Sequence, residues 1–160
     1  MNKQTIISGA FGLIAGLLIM SVTAFNTQNE TLMMEDQSRY DFETTVEKFE
    51  QSVADAGWSI INTHNMHRMI AQHGHEVDEI KIFELCSAKY SAQILEHDHE
   101  RIISPLMPCR LAIYKKSNGN TYITRMDNQA IAEQHGGIIE EVMTEVTVEV
   151  EEMIDDLLVN

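Results

Sequence analysis

The stretch from Ile80 to Tyr114 constrains the fold of this chain more than any other, because it joins two apolar runs of strand length through a short amphipathic segment. The first run alternates in polarity and ends at Cys86, which predicts a strand. The segment over residues 87–96 has helical spacing. The second run begins directly after Pro108-Cys109 and predicts another strand. Both cysteines of the protein therefore lie at predicted strand ends within one stretch.

The sequence on either side of this stretch predicts further helices and strands. Residues 42–56 have the spacing of an amphipathic helix, and residues 58–65 have strand character. Asn118-Gly119 is a strong β-hairpin signal, and from Gln129 onward the apolar spacing is again helical. The order is approximately β-α-β-β-α-β-β-α, which predicts an α+β fold with an antiparallel sheet covered by helices on one face.

The N-terminal segment carries a different signal. Residues 6–25 form an uncharged apolar run, preceded by Lys3, and predict a hydrophobic helix. A run of this length is able to span the ~30 Å hydrocarbon core of a bilayer, and a basic start with small residues near the end is also typical of a cleaved signal peptide. The predicted layout is a signal peptide or transmembrane anchor over residues 1–25, a polar linker over residues 26–41 and a single α+β domain over residues 42–160.

This layout predicts a protein of the cell envelope. The positive-inside rule places the short N-terminus in the cytoplasm. The domain is then either anchored in the inner membrane and facing the periplasm, with residues 6–25 in the membrane, or secreted into the periplasm.

The charge distribution argues against a nucleic-acid partner. The chain has 160 residues and a net charge of −14, and no lysine or arginine follows Arg125. A nucleic-acid-binding surface needs a basic patch, so no nucleic acid is expected among the partners.

Cys86 and Cys109 are the first candidates for chemistry, and three interpretations remain open. In an exported protein, two cysteines most simply form a disulfide, which would stabilise the fold by roughly 3 kcal/mol. The pair is alternatively a cofactor-binding or redox site, since Cys86 precedes a helix N-terminus that lowers a thiol pKa. In the third interpretation, both are inert buried thiols.

The histidines suggest a metal site. The chain has seven histidines, and His64 and His67 would share one face of a helix. Imidazole is the commonest metal ligand in proteins, and thioether and thiolate groups such as those of Met107 and Cys109 favour copper. The candidate metal ligands are His64, His67, Met107 and Cys109, with copper or haem as the candidate cofactor.

Over residues 44–124 the sequence resembles the domain-of-unknown-function 302 family. The most specific part is the Pro-Cys pair that opens a strand, although the Asn-Pro that commonly follows the first cysteine of the family is replaced by Ser87-Ala88. The resemblance implies a small α+β domain, often a homodimer, without an accepted enzymatic reaction. The matching segments are Ala56–Trp58, Leu85-Cys86, Ala88–Leu95 and Leu106–Tyr114.

These observations predict a binding protein rather than an enzyme. No Gly-x-Ser-x-Gly and no glycine-rich phosphate loop is present, and no catalytic residues are predicted. The leading hypothesis is an exported, membrane-anchored module that binds a small ligand, a metal or haem around Cys86 and Cys109. The alternatives are a thiol-redox or electron-transfer accessory protein, and a structural domain with a plain disulfide.

Overall fold

The computed structural model describes residues 32–159, which belong to one compact unit that begins at Leu32. The unit contains one antiparallel five-stranded sheet, whose strand order is β1-β5-β4-β3-β2. The predicted α+β class and antiparallel sheet are confirmed. The strands are β1 (Met33–Gln37), β2 (Ser59–Asn65), β3 (Ile80–Cys86), β4 (Cys109–Lys115) and β5 (Thr121–Met126).

Helices connect the strands and follow the last one. Between β3 and β4 the chain forms a helix and then a 3₁₀ helix. The stretch from Ile80 to Tyr114 therefore contains two strands of one sheet together with the helices that connect them. The helices are α1 (Phe42–Asp55), α2 (Met66–Ala71), α3 (Ala88–Leu95), the 3₁₀ helix (Glu100–Leu106), α4 (Asn128–Glu133) and α5 (Gly137–Asp155).

Local chemistry explains where α1 begins and ends. The carboxylate of Asp41 accepts a hydrogen bond of 2.9 Å from the backbone N–H of Thr44, which caps the helix. Gly57 follows the helix with φ +74°, a left-handed conformation that ends helices and favours glycine.

The two faces of the sheet differ because strand side chains alternate. Phe83, Leu111 and Ile123 point to the inner face, where the helices bury them completely. Ile82, Ala112 and their neighbours point to the outer face and are only half-buried. On the inner side, α5 contributes the apolar stripe that its spacing predicted, with Ile139, Val142, Val146, Val150 and Met153 buried, and Leu157 is buried just after the helix ends.

The prediction of a polar linker over residues 26–41 is wrong for its second half. Met33–Gln37 forms the edge strand β1, which pairs with β5. Arg125 of β5 is 5% exposed and binds Asp36 of β1 and Glu151 of α5. Burial alone would lower the pKa of Arg125, but the two carboxylates outweigh it and raise the pKa. The edge strand is therefore held by a buried cation as well as by the sheet.

The predicted hydrophobic helix over residues 6–25 lies outside the described residues. Within residues 32–159, no helix has both the length and the apolar character needed to cross a bilayer.

Candidate functional site

A small cavity lies at the end of the sheet where β3 stops and β4 starts. Its volume is about 50 Å³, and apolar atoms make up most of its wall. We call it the thiol cavity, because both cysteines line it. Other parts of the wall come from α3, the 3₁₀ helix, α4 and α5, through residues that include Ile94, Ile103, Ala132 and Met143.

The fold brings the two cysteines to this cavity from adjacent strands. Cys109 pairs with Leu85 and not with Cys86, and in a regular strand pair this register sends the two cysteine side chains to opposite faces. Cys86 still reaches the cavity because β3 ends there and the chain turns into α3. Its Sγ lies 3.6 Å from Oγ of Ser91 in α3. Both cysteines are free thiols in the structure.

Cys109 is a neutral thiol at physiological pH. Burial raises the pKa of Cys109 to about 11, and the nearby Cys86 adds to the rise. A thiol is nucleophilic only when it is ionised, so this cysteine is poorly suited to attack a disulfide or an electrophile.

A polar clamp holds one wall of the cavity. Trp58 and Tyr90 both line the cavity. Their Nε1–H and O–H donate hydrogen bonds of 2.6 and 2.5 Å to the two carboxylate oxygens of Glu149 in α5. The Tyr90 and Trp58 hydrogen bonds lower the pKa of Glu149. This carboxylate ties the start of β2 and helix α3 to α5, so the wall is built from three elements.

The predicted metal ligands do not come together. Met107 and Cys109 line the thiol cavity. His64 points to the outer face, where its Nε2 lies 3.2 Å from the carboxylate of Glu84. His67 accepts a hydrogen bond from the backbone N–H of Ile80, at the opposite end of β3 from Cys86.

No group of three or more histidine, cysteine, aspartate or glutamate side chains within residues 32–159 is arranged to hold a metal ion. The His64 neighbourhood is instead an ion-pair cluster on the outer face. Hydrogen bonds from His64 and Arg110 lower the pKa of Glu84, and Arg110 lies 3.2 Å from the same carboxylate. The side chains of His64 and Arg110 are 34% and 60% exposed, and the polar groups of all three residues already have partners.

Sequence reasoning missed three contributors to the cavity. Trp58 and Tyr90 read as ordinary core residues, and Met143 as one more position of the α5 stripe. Trp58 and Tyr90 are buried and Met143 is half-buried, and nothing in their local sequence pattern indicates that they face a cavity. That depends on where α5 crosses the end of the sheet.

A second, wider depression of about 300 Å³ lies on the outer side, between the sheet and the 3₁₀ helix. It is lined mostly by apolar side chains. These include Met33, Ile82, Leu106, Ala112 and Met126.

Comparison with known proteins places this fold. The chain resembles the crystal structure of an uncharacterized conserved protein DUF302 from Bacillus stearothermophilus, with a TM-score of 0.71 over 79% of this chain and 98% of that chain. The two sequences are 16% identical, so this likeness shows the fold alone. No curated protein matches the sequence.

The sequence itself matches a family model, "Domain of unknown function DUF302", over residues 34–157. The match begins within β1 and ends just after α5, so it includes every element of the described domain and confirms the resemblance seen in the sequence. The chain therefore belongs to the DUF302 family.

Proposed function

We propose that this domain is a binding module that holds a small ligand in the thiol cavity. The observation that carries the proposal is an apolar cavity behind the sheet with two thiols in its wall. Well-packed interiors have few voids of this kind, and this one combines apolar walls with convergent polar groups, as ligand sites do.

The size of the cavity limits the ligand. A water molecule needs roughly 10–15 Å³ by the same measure, so about 50 Å³ holds a few water-sized groups or one ion. Sites for drug-sized ligands are typically about 300–1,000 Å³. The proposed ligand is therefore an ion or a molecule of a few heavy atoms, and the haem hypothesis is disfavoured because a macrocycle does not fit a space of this size.

Xenon provides a direct test of whether the cavity accepts a guest. Methyl NMR under xenon pressure is expected to shift the resonances of Ile94 and Ile103, which line the cavity. Ala132→Leu should fill the space and abolish the shifts, whereas Ala112→Leu on the outer face should leave them unchanged. Equal shifts in the wild type and the Ala132→Leu variant, or none in the wild type, would contradict the proposal.

The thiol-redox alternative is less well supported, because the pKa of Cys109 is raised to about 11. At pH 8 only about a thousandth of such a thiol is ionised. In a Cys86→Ser variant, iodoacetamide should therefore modify Cys109 slowly, with a rate that keeps rising beyond pH 10. A rate that levels off below pH 9 would favour the redox alternative, and a Cys109→Ser variant measures the Cys86 background.

The plain-disulfide alternative is less well supported, since both cysteines are free thiols in the structure and Cys109 pairs with Leu85 rather than with Cys86. A thiol titration of the native protein, performed in denaturant without reductant, should count two free thiols per chain. A count of zero would favour the disulfide.

We further propose that the partner is a second copy of this chain, seated on the outer face. Its apolar strip includes Ile82, Ala112 and Met126, which no other element of residues 32–159 buries. The charges beside it are balanced, with Glu84 paired to Arg110 and Glu35 paired to Lys116. Such a face avoids the repulsion that the net charge of −14 would otherwise impose.

Sedimentation equilibrium tests this arrangement. The wild type should form a dimer, and Ala112→Glu should convert it to a monomer by placing an unpaired charge in the interface. Val148→Glu, on the 53% exposed position of α5, is the matched control and should remain dimeric. A monomeric wild type or a dimeric Ala112→Glu variant would contradict the proposal.

We also propose that residues 6–25 direct the chain to the cell envelope, as an anchor or a cleaved signal. N-terminal sequencing of the exported form distinguishes these: a new start at Phe25 would rule out the anchor. Recovery of the full-length chain only in the cytosolic fraction would contradict export.

A further inference from the structure

We infer that the thiol cavity binds one soft monovalent metal ion, Cu(I) or its redox-inert analogue Ag(I), through the sulfur atoms of Cys86, Cys109, Met107 and Met143. The inference rests on the proposed function of the cavity and names its ligand class. It replaces the mixed histidine–sulfur site predicted from the sequence with a site made of sulfur alone.

The first argument is convergence. The four sulfur-bearing side chains come from the end of β3, the start of β4, the residue after the 3₁₀ helix and the middle of α5. Met107 and Cys109 are two residues apart, whereas Cys86 and Met143 are more distant in sequence, and all four line a cavity of about 50 Å³. Each of the four sulfur-bearing side chains therefore borders the same small cavity.

The second argument is the chemistry of the wall. Thiolate and thioether ligands select Cu(I) among biological metals. The wall carries no histidine, aspartate or glutamate side chain, so it lacks the ligands that calcium, magnesium and manganese prefer. Zinc also fits poorly, because it takes cysteine, histidine and carboxylate ligands and only two such side chains are present.

The third argument is charge. Binding breaks two S–H bonds and forms two Cu–thiolate bonds, with the thioethers adding Cu–S bonds that release no proton, so two protons leave for each Cu⁺ that enters and the metal keeps its oxidation state. The resulting unit carries one net negative charge. Cys86 lies just before Ser87, the N-cap of α3, and a helix N-terminus stabilises nearby negative charge. The Ser91 hydroxyl lies 3.6 Å from Cys86 Sγ, where it can donate to a thiolate. The two thioethers coordinate without adding charge.

Anaerobic titration of the full-length protein with Ag(I) or Cu(I), against the chelator bicinchoninate for Cu(I), tests the inference. The wild type should retain one ion per chain, because both thiolates share it. The variant with both Cys86→Ser and Cys109→Ser should retain none. Two ions per chain, or equal retention by this variant, would overturn the inference.

The thioethers are tested separately. X-ray absorption of the Cu(I)-loaded wild type should show three or four sulfur neighbours and no nitrogen or oxygen. Met107→Leu combined with Met143→Leu should lower the sulfur number to two and weaken binding by about tenfold or more, as for loss of supporting groups at a metal site. Met69→Leu, at an exposed methionine of α2, is the matched control. An unchanged sulfur number in the double leucine variant would overturn the assignment of the thioethers.

Two further controls separate possible failures. His64→Ala with His67→Ala should not change the affinity for Cu(I); a loss of affinity would restore the histidine site and overturn this one. If xenon enters the cavity but neither ion is retained, the metal inference fails and the binding-module proposal stands. If xenon and both ions fail to bind, both are wrong. Circular dichroism of each variant checks that the fold is intact.

Discussion

The ligands predicted for a single metal site are divided in the structure, with Met107 and Cys109 at the thiol cavity and His64 in the His64 cluster, which consists of His64, Glu84 and Arg110. These two regions are built in opposite ways. The His64 cluster lies on the outer face, where the His64 imidazole and the Arg110 guanidinium each lie 3.2 Å from the carboxylate of Glu84. The thiol cavity lies at the end of the sheet where β3 stops and β4 starts, and four sulfur-bearing side chains line its apolar space, including Cys109, whose pKa is raised by burial.

The two regions differ in whether their side chains are still free to bind a ligand. Polar groups on the outer face already satisfy one another and water, so adding a metal would have to break those contacts. The sulfur atoms have weak hydrogen-bonding demands and are left facing an open space. The number of histidines did not indicate side chains placed together, because His64 bonds Glu84 on the outer face whereas His67 bonds the backbone of Ile80.

The largest expected effect separates the two regions by packing. Ile94 is 1% exposed and lines the cavity, so Ile94→Ala should lower the free energy of unfolding by about 2–5 kcal/mol, because it deletes buried methyl groups and enlarges a void. Ile82→Ala, on the half-buried outer face, should cost about 1 kcal/mol. Urea denaturation at low protein concentration measures the free energy of unfolding of both variants. Equal losses would contradict the difference in packing between the cavity and the outer face.

The next effect concerns the polar clamp beside the cavity. Glu149→Gln leaves one oxygen to accept hydrogen bonds from Trp58 and Tyr90, so one donor loses its partner. The free energy of unfolding should fall by about 1–3 kcal/mol. Glu145→Gln, one turn earlier on α5, is the control. Glu145 makes a single long ion pair, 3.9 Å from Lys89, so this change should have little effect on the free energy of unfolding.

The same variant gives a pH dependence with a definite sign. The pKa of Glu149 is lower in the folded protein than its ordinary value of 4.5. Its contribution to stability is therefore fully present above pH 4.5 and is lost as the pH falls through the folded pKa. The difference in stability between wild type and Glu149→Gln should narrow below pH 4.5, and a difference that widens there would contradict the clamp.

The smallest expected effect is on the outer face. His64→Ala removes a 34% exposed side chain and leaves Glu84 paired with Arg110, so the free energy of unfolding should change by about 0.5 kcal/mol or less. Thermal unfolding at pH 7 measures it. A loss as large as that of Glu149→Gln would mean that the His64 cluster is a buried network and would break the comparison.

Much of the fold was predictable from local signals. The strand alternation in residues 80–86 correctly separated the inner from the outer face, and Asn118-Gly119 marked the hairpin, where Gly119 takes φ +85°. The edge strand β1 was not predictable, since Met33–Gln37 has a mostly polar sequence that favours no element by itself. It is held by β5 and by the buried Arg125, neither of which is near it in sequence.

For the candidate site, the sequence by itself determined that Cys86 and Cys109 stand at the ends of two apolar strands, because periodicity and turn residues act over a few neighbouring positions. Only the tertiary structure decided the rest. The strand register set Cys109 opposite Leu85, the packing of α5 brought Met143 to the cavity, and the direction of β2 took His64 to the outer face. These are long-range contacts, selected by burial over the whole core, and no local pattern encodes them.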